Sequence, residues 1–166
     1  MALNKDKIVD PTYTKLDLPK NRSVEWDGRS RLKAAVLVDV DGTLASTYQE
    51  GKREVRPTAL SAIKMLSEHA PVFLWSIVGA DNGQRLISEF PELQPFIAGS
   101  YGKDEFPLEM VEHPYCIDDD GADEVIFRCN HVILNETYDG GPDSGILMKA
   151  ARRIVDDIRR NYLTGN

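Results

Sequence analysis

The sequence is poor in the residues that would mark several common classes of protein. It has two cysteines, Cys116 and Cys129, and three histidines, His69, His113 and His131. Two cysteines cannot frame a disulfide scaffold. Both lie in or beside apolar segments, which fits buried thiols in a reduced, cytoplasmic protein. The histidines have no metal-ligand spacing. No apolar run is long enough to cross a bilayer, so no membrane partner is expected. Met1-Ala2-Leu3-Asn4-Lys5-Asp6 lacks the apolar core of a signal peptide. There is no internal repeat and no low-complexity tract. An overall basic balance is also missing: the formal net charge is −7, so the chain carries no strong nucleic-acid signature. Gly99-Ser100-Tyr101-Gly102-Lys103-Asp104 is too short for a nucleotide-binding P-loop and lacks a hydroxyl residue after the lysine.

What is present is the composition of a soluble domain with a proper core. The 166 residues are 42% hydrophobic and 28% charged. The charge is uneven. Residues 1–33 hold eight Lys or Arg against five acids, a balance of +3, which leaves −10 on the rest of a chain of net −7. Much of that excess lies in aspartate clusters, which points to a cation outside the formal count. Residues 1–33, with Pro11 and Pro19 and no helical period, read as a basic arm anchored by Trp26. Residues 34–166 read as the core domain.

The core begins with Ala34-Ala35-Val36-Leu37-Val38, apolar without alternation, as in a strand buried on both faces of a parallel sheet. Tyr48-Gln49-Glu50-Gly51-Lys52-Arg53 predicts a small hairpin turning at Gly51. Pro57 opens a helix whose buried face takes Leu60, Ile63, Met65 and Leu66. Val72-Phe73-Leu74-Trp75 is a second buried strand ending at Ser76, and Asn82–Phe90 is a helix. Phe96-Ile97-Ala98 is a short third strand, Gly99–Pro107 a loop, and Leu108–Glu112 one helical turn. Pro114-Tyr115-Cys116-Ile117 and His131-Val132-Ile133-Leu134 are further strands. A last helix from Asp143 to about Tyr162 buries Ile146, Leu147, Ala150, Ile154, Val155 and Ile158. Strands alternating with helices define an α/β fold. The expected architecture is a Rossmann-like three-layer sandwich around a mainly parallel sheet, with a small flap hairpin and no large cap domain.

In such a sheet four strand ends fall on one edge: Asp39 with Asp41, Ser76, the Lys103 loop, and Asp118-Asp119 with Asp123. Neighbouring carboxylates there would repel by roughly 1–4 kcal/mol per close pair. A hard divalent cation relieves that repulsion, and a few carboxylates plus water suit Mg²⁺. Asp39, Asp41, Thr43 and Glu50 also match four positions of a calcium loop. Leu44 stands where that loop needs glycine, however, and a strand rather than a helix precedes it.

Val38-Asp39-Val40-Asp41-Gly42-Thr43-Leu44, a strand ending in Ser76, a later Lys103, and Asp118-Asp119 with Asp123 come in an order that resembles the haloacid dehalogenase-like (HAD) superfamily of phosphohydrolases. The resemblance spans about residues 34–135. It implies that Asp39 is the nucleophile and forms an aspartyl-phosphate. Asp41 is then general acid and base, with its backbone carbonyl on Mg²⁺. Ser76 and Lys103 bind phosphate, and Lys103 holds Asp39 ionised. Asp39, Asp41 and Asp119 form the metal set. Gly42, Thr43, Asp118 and Asp123 support it. Between Ser76 and Asp118 the only other Lys or Arg is Arg85, placed within a helix.

The resemblance implies Mg²⁺-dependent hydrolysis of phosphomonoesters. Phosphoryl transfer to another acceptor and a low-turnover phospho-binding or regulatory module remain open as alternatives on the same fold. A nucleic-acid end phosphatase is a further alternative, although Ile77-Val78 follows Ser76 where such domains often carry Gly-Arg. Without room for a cap, the site is open to a macromolecular phosphate end, is lidded by a partner subunit, or holds a small metabolite enclosed by an oligomer, so a homo-oligomer is among the expectations.

Overall fold

The apolar run that opens the core becomes the centre of the sheet. In the computed structural model, which describes Trp26 and residues 29–120, 128–129, 131–134 and 136–163, β1 covers Leu32–Asp39. It pairs in parallel with β2 (Val72–Ser76) on one side and β4 (Val111–Asp118) on the other. β3 (Gly99–Gly102) joins β2, and β5 (His131–Leu134) joins β4. The five strands lie in the order β3-β2-β1-β4-β5. Connections run outward from β1 to β3 and then return to its other side. The order therefore reverses between β1 and β4, and the crevice at their carboxyl ends is where such sheets place ligands.

Successive residues of β1 face opposite sides. Val36 and Val38 join Leu74 and Ile117 beneath three helices: α1 (Ala59–Ser67), α2 (Ala80–Glu89) and α3 (Ile146–Ile158). Ala35 and Leu37 face the other side with Phe73, Trp75 and Cys116. Among the described residues that second layer is aromatic rather than helical. Phe106 stacks at 5.1 Å from both Phe73 and Tyr101, and Trp26 closes over Phe73 and Phe106 at 5.5 and 5.4 Å. The Trp26 indole donates to the Ser30 carbonyl at 2.8 Å. Cys116 and Cys129 are free and buried.

Several local expectations shift. β1 starts at Leu32, so the boundary expected between residues 33 and 34 falls inside a strand. The hairpin forms, with Gln49 bridging Lys52 and with Glu50 and Gly51 at positive φ. Pro57 and Thr58 form a turn, and α1 starts at Ala59. Its buried stripe is Ala59, Ala62, Ile63 and Leu66, at helical spacing, which turns Leu60 out to solvent. Residues Pro91–Phe96, broken by Pro95, wind as a 3₁₀ segment, and the third strand begins only at Gly99. α3 starts at Ile146, after Gly145 at φ +83°. Asp143 instead accepts the Thr58 N–H at 3.0 Å, at the start of α1. The last described residues, Arg159–Leu163, take a π-helical turn. Between β1 and α1, and between β2 and β3, the chain forms a hairpin, α2 and the 3₁₀ segment, with no cap-sized insertion. Among the described residues no helix is long and apolar enough to cross a membrane.

Candidate active site

Asp39 is the last residue of β1 and Asp118 the last of β4, and the register sets Val38 beside Ile117. Two strands buried on both faces thus deliver neighbouring carboxylates to the switch-point crevice. Asp118 is wholly buried and Asp39 nearly so. Asp119, one residue past the strand, completes the group. One carboxylate oxygen from each of Asp39, Asp118 and Asp119 lies within 4.8 Å of the others.

Lys103 enters from β3. That strand ends at Gly102, and the Lys103 N–H donates to the Ser76 carbonyl at 2.9 Å. Its side chain is buried, with Nζ 2.6 Å from Asp118 Oδ2 and 3.3 Å from Asp39 Oδ1. One ammonium thus pairs with two of the three carboxylates. Burial pushes the Asp39 carboxyl well above its usual range, the Asp118 charge pushes it further, and Lys103 only partly opposes them. Lys103 thus acts on Asp39 in the expected direction, towards the ionised form, against burial and the neighbouring acids. Lys103 binds Asp118 more closely, and burial with the neighbouring acids outweighs it at Asp39. Burial also raises Asp118, against hydrogen bonds from Lys103 and from the Asp120 N–H at 2.9 Å.

The remaining supports come from the loop after β1 and the loop after β5. Thr43 Oγ1 donates to Asp39 Oδ2 at 3.1 Å and lies 3.4 Å from Asp119 Oδ1. Gly42 has φ +83°, and a Cβ there would sit 2.2 Å from Asp119 Oδ2, so both backbone and space demand glycine. Thr137 Oγ1 donates to Asp119 Oδ2 at 2.9 Å. Its loop is held by the Tyr138 N–H on the Gly42 carbonyl, and by Arg56 reaching the Gly42, Thr43 and Glu136 carbonyls.

Asp41 belongs to a second group. Its carboxylate accepts Arg53 Nη1 at 3.2 Å and Asn82 Nδ2 at 3.0 Å. Asn82 also donates to Ser76 Oγ at 3.0 Å. Arg53, on the hairpin arm, is fully buried at its side chain and spans Asp41, Asn82 and Glu89. Among the described residues a carboxylate triad that can hold a metal is Asp39, Asp118 and Asp119; the part expected of Asp41 at the metal falls to its backbone carbonyl, not to the carboxylate held by Arg53 and Asn82. Asp123 lies outside the described residues.

The fold brings Asp39, Asp41, Ser76, Lys103, Asp118 and Asp119, all expected at the site, to one rim. Arg53, Arg56, Asn82 and Thr137 join them there without having been expected from the sequence. Asn82 does carry a sequence signal: it stands four residues before Leu86, on the same helix face, and that face is buried. The two arginines and Thr137 left no sequence signal, because their partners are remote.

The donor set suits a hard divalent ion: three carboxylates, all oxygen, in a buried crevice with one compensating lysine.

No protein-family profile matches the chain, and neither does any curated protein. Solved structures that it resembles include a chain assigned as a 3-deoxy-D-manno-octulosonate 8-phosphate phosphatase from Vibrio cholerae. The identity is 14%, with 92% of this chain and 91% of that one covered, at a TM-score of 0.43. A second, assigned to the YrbI family of phosphatases and from Pseudomonas syringae pv. phaseolica 1448a, is 13% identical over 92% of this chain and 99% of that one, with a TM-score of 0.39.

Proposed function

We propose that this protein is a HAD-like, Mg²⁺-dependent phosphomonoester hydrolase working through an aspartyl-phosphate on Asp39. The observation that carries the reading is the meeting of Asp39, Asp118, Asp119 and Lys103 at the carboxyl ends of β1, β4 and β3. Asp39 Oδ1 faces Lys103 and Oδ2 is held by Thr43, so the carboxylate is fixed in orientation. Fixing the reacting group lowers the entropic part of the barrier.

Asp39 attacks phosphorus, the P–O bond to the leaving alcohol breaks, and an acyl phosphate replaces the ester. Asp41, two residues on and half-exposed, gives its proton to the departing oxygen. It then takes one from the water that cleaves the acyl phosphate. Ser76 and Lys103 neutralise and orient the phosphoryl oxygens. Asp39 and Asp119, with Asp118 behind them, would hold Mg²⁺; when bound, the ion supplies charge neutralisation for the carboxylates and the phosphoryl group. Among the described residues only a hairpin, α2 and a 3₁₀ segment lie between β1 and α1 and between β2 and β3, which supports a rim that admits a bulky phosphate ester.

The direct test is hydrolysis of a generic aryl phosphate with Mg²⁺. The expected result is turnover in the wild type that is lost in Asp39→Asn and with chelator. Full activity in either case would sink the reading. Adding candidate acceptor alcohols and analysing products separates hydrolysis from phosphoryl transfer.

A further inference from the structure

Ser76 sits at the end of β2, and its hydroxyl has one proton and two lone pairs. Two donors reach Ser76 Oγ: the Val78 N–H at 3.3 Å and Asn82 Nδ2 at 3.0 Å. With both lone pairs occupied, the proton is left to point elsewhere. The hydroxyl is thus arranged as a donor, the state that a phosphoryl oxygen requires.

This arrangement depends on which way the Asn82 amide faces. Arg53 settles it. Its Nη1 donates to Asn82 Oδ1 at 3.0 Å, so the oxygen faces the hairpin and the NH₂ faces the site. The same NH₂ gives its other proton to Asp41 Oδ2 at 3.0 Å. Arg53 is itself fixed by Glu89 at 2.8 Å and lies 4.5 Å from the centre of the Tyr48 ring. Asn82 is buried on the first turn of α2.

We propose that Asn82, oriented by the hairpin's Arg53, is the positioning residue that makes Ser76 a hydrogen-bond donor to phosphate while holding Asp41 beside it. This rests on the reading of Ser76 as a phosphate ligand. It adds that the flap hairpin sets the polarity of the phosphate site through one amide.

The test is a double-mutant cycle on inorganic phosphate binding, measured calorimetrically with Mg²⁺ present. Asn82→Ala and Ser76→Ala should each weaken phosphate by about tenfold, the equivalent of one hydrogen bond. The double variant should be no weaker than Ser76→Ala alone, because Asn82 acts on phosphate through Ser76. Asn82→Asp should bind phosphate more weakly than Asn82→Ala, since a second carboxylate oxygen would accept the Ser76 proton and repel the anion. Arg53→Met, which frees the amide to turn over, should lie between the wild type and Asn82→Asp. In ester hydrolysis, Asn82→Ala should lower kcat as well as raise KM, through Asp41, whereas Ser76→Ala raises KM mainly. Independent, additive losses in the cycle would overturn the proposal. So would wild-type affinity in Asn82→Asp, or a wild type that binds no phosphate. Coupling without any ester hydrolysis would leave this inference standing and remove the functional reading instead.

Discussion

Replacing the proposed nucleophile should make the metal-free protein more stable. Asp39 meets two carboxylates whose oxygens lie within 4.8 Å and one ammonium at 3.3 Å. At an effective dielectric of about 20, each repulsion is about 3.5 kcal/mol and the attraction about 5 kcal/mol. The charge on Asp39 is then unfavourable by about 2 kcal/mol before its burial is counted. Asn keeps the oxygen that accepts the Thr43 hydroxyl, and Lys103 keeps Asp118 at 2.6 Å. Asp39→Asn should therefore raise the melting temperature in chelator at pH 7 and low salt by about 4–8 °C. The pH dependence has a definite sign. A carboxyl raised by folding stabilises the fold while protonated, and that advantage is lost as pH climbs through its raised value. The gap between variant and wild type should hence open as pH rises from about 4 towards neutrality. Mg²⁺ should stabilise the wild type and close the gap. Thermal unfolding by circular dichroism reads all three. A variant that melts at or below the wild-type temperature without metal would refute the charge argument.

Other perturbations follow from the same contacts. Thr137→Val removes the hydroxyl on Asp119 Oδ2, and Mg²⁺ affinity should fall about tenfold with Thr137→Ser restoring it, as read by titration calorimetry. Gly42→Ala places a methyl 2.2 Å from the Asp119 carboxylate at φ +83°, which should cost about 1–3 kcal/mol in denaturant unfolding and weaken Mg²⁺ binding. Trp26→Ala opens the aromatic layer over Phe73 and Phe106, and should cost about 2 kcal/mol while leaving KM unchanged.

The parts of this structure that were legible from sequence are those governed by local pattern. Ala34–Val38 could only be buried on both faces, and β1 is the central strand. Asp39 and Asp118 follow apolar runs, so parallel packing alone puts them side by side. β3 was displaced by three residues because its sequence, Gly-Ser-Tyr-Gly, has little strand preference of its own. Pairing with β2 makes it a strand, while Pro95 winds the more apolar stretch before it into a 3₁₀ segment. Leu60 was misplaced because the phase of α1 follows its start at Ala59, which a turn at Pro57 and Thr58 delays. Asn82 and Arg53 are bound to one another across 29 residues, and no local period encodes such a pair.

The central claim is that the Asp39 carboxylate becomes covalently bonded to phosphorus. Acid-quenching the protein during turnover of a phosphate-labelled ester with Mg²⁺, followed by peptide mapping, tests it most directly. The account predicts hydroxylamine-labile label on the peptide containing Asp39, and none in Asp39→Asn. Steady hydrolysis with no label on the protein, or with label on another residue, would contradict it.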